Sequence, residues 1–182
     1  MTQALYYVVK TLAQLYLLLY LLRFWLPWVG ADFRNPVAQA ILRFTSPIIV
    51  PLRRFIPPIG RLDTANVLVL FAMQYGILFV LMLIVNQTLP PIVIAQLAAL
   101  ELCVLSLWMF LFAIFISILM SWISPGAYNP IAAIAGTLAE PILRPFRRLI
   151  PPLGGIDLSP ILAIVLVRAS IIVLESYVPF GA

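Results

Sequence analysis

Apolar residues fall along the chain in four long runs, separated by two stretches rich in proline and arginine and by one short uncharged turn. A spanning helix needs about 20 consecutive apolar residues at a rise of about 1.5 Å each. The pattern therefore predicts spans at about 6–28, 64–85, 102–122 and 158–178. The third run extends over 92–123, too long for one perpendicular crossing, and Glu101 is expected to mark where it meets the membrane. Trp28 and Trp122 close the first and third spans with rings suited to the headgroup level.

Two shorter elements lie between the spans. Asn35-Pro36 and Asn129-Pro130 each pair an N-cap residue with a proline at the first helical position. Val37, Ala40, Ile41 and Phe44 then recur at helical spacing, with Gln39, Arg43 and Ser46 off that stripe. Because Pro47 and Pro141 disfavour helical geometry in the residue before them, these helices are expected at about 36–46 and 130–140. About eleven residues cannot cross a bilayer, so the expectation is an amphipathic helix lying in the interface. Pro47, Pro51, Pro57 and Pro58 are then expected to break regular helix through a basic hinge, with Gly60 allowing the turn. Asp63 is placed to cap the next span, meeting the free N–H groups of its first turn. In the second copy Pro151, Pro152, Gly154 and Asp157 stand in the corresponding places.

The register is constant: Asn35 and Asn129, Pro47 and Pro141, Arg53 and Arg147, Asp63 and Asp157 each lie 94 residues apart. The predicted architecture is all-α and membrane-integral, with four transmembrane helices in two tandem repeats, 1–87 and 88–182. With two spans in each, the halves share one orientation and are related by an axis along the membrane normal.

Composition supports this reading. With 64% hydrophobic and 9% charged residues there is too little polar surface for a soluble fold. The first run has no basic n-region and is too long for the core of a cleaved signal peptide, so it is expected to remain as a helix. A single cysteine, Cys103, and no histidine exclude an internal disulfide and make a Cys/His zinc site untenable; no cofactor is expected. Arg34, Arg43, Arg53, Arg54 and Arg61 lie between the first two spans, and Arg144, Arg147 and Arg148 between the last two. The turn between the second and third spans has no charge. The positive-inside rule then places both hinges in the cytoplasm and both termini on the other side. The hinge arginines are candidates for contact with anionic headgroups, with other membrane proteins or with a second copy of the chain. Nucleic acid is not an expected partner, because the arginines are few and not interleaved with stacking aromatics.

Charges within spans point to function, because a charge at mid-bilayer must face a partner or water. Lys10, Glu101 and Glu175 are expected toward the outer ends of their helices, where snorkelling or an ion pair accounts for them. Arg168 lies eleven residues after Asp157, about 16 Å into the bilayer, with Glu175 two turns further along the same face. Its repeat equivalent is Gln74. These polar groups either tie the helices together or line a path. Enzymatic chemistry finds no support, for there is no histidine, no paired carboxylate motif, no glycine-rich phosphate loop and no nucleophile elbow. A non-catalytic membrane organiser or assembly partner is favoured; the alternative is a small channel or carrier passing Gln74 and Arg168.

Asn-Pro, then Pro-x-x-x-Pro-x-Arg-Arg, then Ile-Pro-Pro-x-Gly-x-x-Asp, present in both halves, resembles the YggT family of small bacterial and plastid membrane proteins. The second copy fits more fully, since the first has Val50 and Arg61 where the second has Arg144 and Gly155. The resemblance implies a bacterial inner-membrane protein without established chemistry. It also implies relatives linked to osmotic stress tolerance, to membrane or nucleoid organisation and, in plastids, to assembly of a cytochrome complex.

Overall fold

The structure is a computed structural model that describes residues 2–123, 129–149 and 157–178. Pro151, Pro152 and Gly154 lie outside the described residues. Among the described residues six helices follow in order: α1 (Thr2–Trp28), α2 (Pro36–Leu52), α3 (Thr64–Ile84), α4 (Pro91–Ile123), α5 (Pro130–Leu149) and α6 (Ser159–Glu175). Among the described residues there is no strand, only an isolated bridge between Ile59 and Leu62 in the first hinge. Among the described residues three helices, α1, α3 and α4, are long and apolar enough to cross a membrane, which is compatible with a multi-pass membrane protein. At most a third of each of their most apolar stretches is buried. Leu12, Leu68, Phe79, Leu83 and Phe112 point outward, a surface that calls for lipid as its solvent.

The helix ends follow local chemistry. Gly30, at φ 72°, ends α1 in a left-handed turn that brings the Ala31 N–H to the Leu26 carbonyl at 3.0 Å. Asn86, at φ 56°, does the same after α3, with the Gln87 N–H on the Met82 carbonyl at 3.0 Å. Both are Schellman-type stops, in which glycine or asparagine tolerates the positive φ.

Two expectations are corrected. Helix α2 does not stop at Ser46 but continues through Pro47 and Pro51 to Leu52. Likewise α5 passes through Pro141 and Pro145 to Leu149. The prolines are spaced i, i+4, so the hydrogen bonds they remove fall on one side of the helix. That side is exposed in both copies, while the buried stripe of α2, Ala38, Ile41, Thr45 and Ile49, runs on beneath it. A carbonyl left without its N–H partner costs much less on an exposed face than inside the fold. At about 1.5 Å per residue the two helices measure about 26 and 30 Å, so shortness no longer argues that they stay in the interface. Their amphipathic pattern still does.

The second correction concerns α4, a single helix of 33 residues. Glu101 lies well inside it, and is not placed at an outer end: it pairs with Gln74, in the middle of α3.

By packing, the chain divides into two compact units, one of residues 1–24 and 41–105, the other of 25–40 and 106–182. This division follows contacts, whereas the 94-residue register follows sequence. In the first unit Leu17, Tyr20 and Leu21 of α1 are buried, as are Val69, Leu70, Leu78 and Leu81 of α3 and Ile94 and Leu97 of α4. In the second, Ile114 of α4, Ala139 and Leu143 of α5 and Ala163 of α6 form a core, with Ile118, Ile142, Phe146 and Ile164 packed against it. The two alanines let the helix backbones approach closely, as small residues do between membrane helices.

If α2 tolerates its prolines only because that face is exposed, replacing Pro47 and Pro51 with Ala should strengthen the helix without changing its course. Native-state hydrogen exchange is expected to show raised protection across residues 47–55, by up to about 3 kcal/mol per proline. Unchanged or lower protection would mean that the prolines are needed where they stand.

Candidate functional site: arginine clips at the helix ends and paired charges in the helices

The capping residues organise the sites. Asn35 is buried; its Oδ1 accepts from the Val37 N–H at 2.8 Å and its Nδ2 donates to the Pro130 carbonyl at 2.9 Å. The start of α2 is thereby tied to the start of α5, within the second packing unit. Asn129 caps α5 through Oδ1, which accepts from Ile131 N at 2.9 Å and Ala132 N at 3.4 Å.

Asp63 caps α3, its Oδ1 accepting from Asn66 N at 3.4 Å. The same carboxylate takes a two-pronged bond from Arg53, Nη2 to Oδ2 at 2.6 Å and Nε to Oδ1 at 3.3 Å. That bond, the largest influence on Arg53, raises the guanidinium's pKa further. The chain between them turns at Gly60, φ 59°, and Thr64 Oγ1 secures it by donating to the Pro57 carbonyl at 2.6 Å.

A third residue completes this clip. Arg23 of α1 is 5% exposed, and its Nε lies 3.7 Å from Asp63 Oδ2. Its Nη1 donates to Thr45 Oγ1 at 2.7 Å, to Ser46 Oγ at 3.2 Å and to the Leu42 carbonyl at 3.4 Å. Thr45 and Ser46 donate back to the carbonyls of Ile41 and Leu42 at 2.7 and 2.6 Å, which leaves their lone pairs to receive the guanidinium. A charge buried this deeply needs such partners. Sequence reasoning passed over Arg23, although a basic residue inside an apolar run was a visible signal.

The second copy repeats the clip with a different third member. Arg147 Nε donates to Asp157 Oδ2 at 3.0 Å, and Arg147 Nη1 donates to Glu140 Oε2 at 2.7 Å. Asp157 stands two residues before α6 and accepts from Ser159 N at 2.9 Å. Ser159 beside it, hydroxyl and backbone N–H, holds the Asp157 carboxyl below the usual carboxylate range, with Arg147 adding to the effect. What this contributes to stability is present at neutral pH and is lost as pH falls through that lowered value.

The charges in the long helices are paired within each unit. In the first, buried Gln74 donates to Glu101, and Lys10, lying over the Tyr6 ring at 5.9 Å, acts on Glu101 as an opposing charge. In the second, the Arg168 guanidinium lies over the Trp108 ring at 4.8 Å and Nη1 is 3.8 Å from Glu175 Oε2. Trp108 Nε1 donates to Glu175 Oε1 at 3.2 Å, closing a three-residue set. Gln74 and Arg168 thus occupy equivalent places in the sequence with unlike partners. No group of residues among those described could hold a metal ion.

Arg53, Arg54, Arg144, Arg147 and Arg148 are all exposed, at or just beyond the C-terminal ends of α2 and α5. Phe55 and Ile59, 83% and 72% exposed, stand beside the first pair.

The CCB3/YggT family pattern matches residues 2–86 and again 96–178, once in each copy of this arrangement. The chain belongs to the CCB3/YggT family. An uncharacterized protein of Pseudomonas aeruginosa is 42% identical over 159 residues, covering 86% of this chain and 81% of its own length. The uncharacterized protein YggT of Escherichia coli is 40% identical over 162 residues, covering 88% and 83%. A shorter likeness, 51% over 45 residues, links 25% of the chain to 16% of a chloroplastic YlmG homolog of Arabidopsis thaliana. No solved structure matches the chain.

Removing Asp63 should cost more than removing Arg23. Asp63→Asn leaves Arg23 buried without its counter-charge, a loss on the order of 3 kcal/mol, whereas Arg23→Met removes the buried charge and is expected to stay within about 1 kcal/mol. Adding Arg23→Met to Asp63→Asn should recover most of the loss. Unfolding in mixed micelles reads all three, and additive effects of the two changes would refute the coupling.

Proposed function

We propose that the chain is a non-catalytic organiser or assembly partner of the bacterial inner membrane, with α6 as a fourth span and the halves 1–87 and 88–182 as parallel repeats. In this reading α2 and α5 lie along the cytoplasmic surface and both termini face the periplasm. The clips Arg53–Asp63 and Arg147–Asp157 set the angle at which each surface helix passes into the following span. The exposed arginines at the ends of α2 and α5 then meet anionic headgroups, each worth about 1 kcal/mol near such a surface. Phe55 and Ile59 dip into the acyl boundary beside them. Other membrane proteins, or a second copy, dock on the same basic face. Tolerance of osmotic stress is the phenotype in which this role is expected to show.

The observation that carries the reading is the contrast between the two kinds of charge. Arg23, Glu101, Arg168 and Glu175 each have a charged or hydrogen-bonding partner within the protein, although Arg168 is exposed, whereas Arg54, Arg144 and Arg148 form no ion pair among the described residues and are exposed. A channel or carrier would depend on the first set, an organiser on the second.

Function should therefore survive Arg168→Gln and be lost on reversing the unpaired hinge charges, Arg54→Glu with Arg144→Glu and Arg148→Glu. Complementation of a null strain under osmotic stress measures both. Single cysteines at Gly60 and Thr88 in a Cys103→Ser background verify insertion by their opposite labelling. Loss of function in well-inserted Arg168→Gln, with the hinge variants active, would favour the channel. Spin labels stepped through 37–44 and 131–139 should report a helical period at one shallow depth; a steady trend toward the bilayer centre would overturn the surface placement.

A further inference from the structure

In the first repeat the Arg23 guanidinium fills the space beside the amphipathic helix, on Leu42, Thr45 and Ser46. Ninety-four residues on, the equivalents of Arg23 and Leu42 are Ser117 and Gly136. Both large side chains are gone. The second packing unit has an open cavity of 740 Å³ there, lined by Trp28, Ser117, Gly136, Glu140, Arg144 and Arg147 among others. That volume is of the size small-molecule sites occupy.

Two further departures from the first repeat add charge at this cavity: Glu140 stands in the place of Ser46, and Arg144 in the place of Val50. These four differences between the copies converge on one space. Glu140 is bonded to Arg147, which also holds Asp157. Arg144 forms no ion pair, and Ser117 Oγ no hydrogen bond, among the described residues. A Cβ on Gly136 would meet nothing nearer than Ser117 Oγ at 4.0 Å, so helix packing does not require the glycine.

We propose that this cavity binds the headgroup of a phosphoethanolamine lipid. The phosphate lies on the Arg144 guanidinium, whose planar fork suits it, with Ser117 Oγ as a second donor. The ammonium donates to Glu140. Trp28, at the end of α1, places the cavity at headgroup depth. The side-by-side arginine and carboxylate select a zwitterion: a purely anionic headgroup faces repulsion from Glu140, and a quaternary ammonium brings it no N–H donor. The inference rests on the reading that α5 lies along the membrane surface.

The full chain, in mild detergent with equimolar phosphatidylethanolamine and phosphatidylglycerol of matched acyl chains, is examined by native mass spectrometry. Phosphatidylethanolamine should be retained at least tenfold over phosphatidylglycerol. Ser117→Arg and Gly136→Leu, each restoring the first-repeat residue, should reduce that retention at least tenfold, and Glu140→Gln should move the preference toward phosphatidylglycerol. Circular dichroism and thermal unfolding identify which variants keep the native fold, and either one suffices. Equal retention of the two lipids by the native chain overturns the proposal, as does undiminished retention in a folded cavity-filling variant. If the spin labels place α5 at the surface and no headgroup preference appears, this inference alone fails. If they place it elsewhere, the surface reading fails first.

Discussion

Asp63 and Asp157 each hold an arginine ten residues upstream while accepting the free N–H groups at the start of the next helix. Much of the remaining order depends on this double use of one carboxylate. A helix that leaves the membrane surface for the bilayer interior needs its first N–H groups satisfied before lipid surrounds them. The same carboxylate meets the positive dipole end of its helix and the arginine at the end of the preceding one. Arg53 and Arg147 thereby close the loop between an amphipathic helix and the next apolar one.

Around this shared device the two copies have diverged in what completes it. In the first, Arg23 comes from the preceding long helix and its Nη1 donates to hydroxyls and a carbonyl of α2. In the second, the third charge is Glu140, on the amphipathic helix itself, and the place of Arg23 is taken by Ser117. A buried guanidinium locks the first site shut, while the exchange to serine and glycine opens the second. The chain has duplicated a structural joint and left one copy closed and the other accessible.

The polar groups within the long helices follow the same rule of internal satisfaction. Gln74 with Glu101 and Arg168 with Trp108 and Glu175 find their partners within their own packing units, Arg168 remaining exposed. Such pairing stabilises a membrane fold modestly, and breaking one partner costs more than the pair contributes. Arg54, Arg144 and Arg148 of the hinges are exposed without an ion pair among the described residues.

The sequence by itself determined what depends on neighbours along the chain. The long apolar helices follow from run length, the caps at Asn35, Asn129 and Asp63 from bonds reaching two or three residues ahead, and the repeat from its register. Helix length through Pro47 and Pro141 was not legible, because the cost of a proline depends on whether the carbonyl it frees is exposed, and that is a property of packing. Only the tertiary structure decided that Glu101 meets Gln74, that Arg168 lies on Trp108, and that Arg23 belongs to the clip. Those partners are separated by 19 to 60 residues, and they meet because of which helix faces pack together, a choice that the apolar surroundings of a membrane helix leave almost unmarked in its sequence.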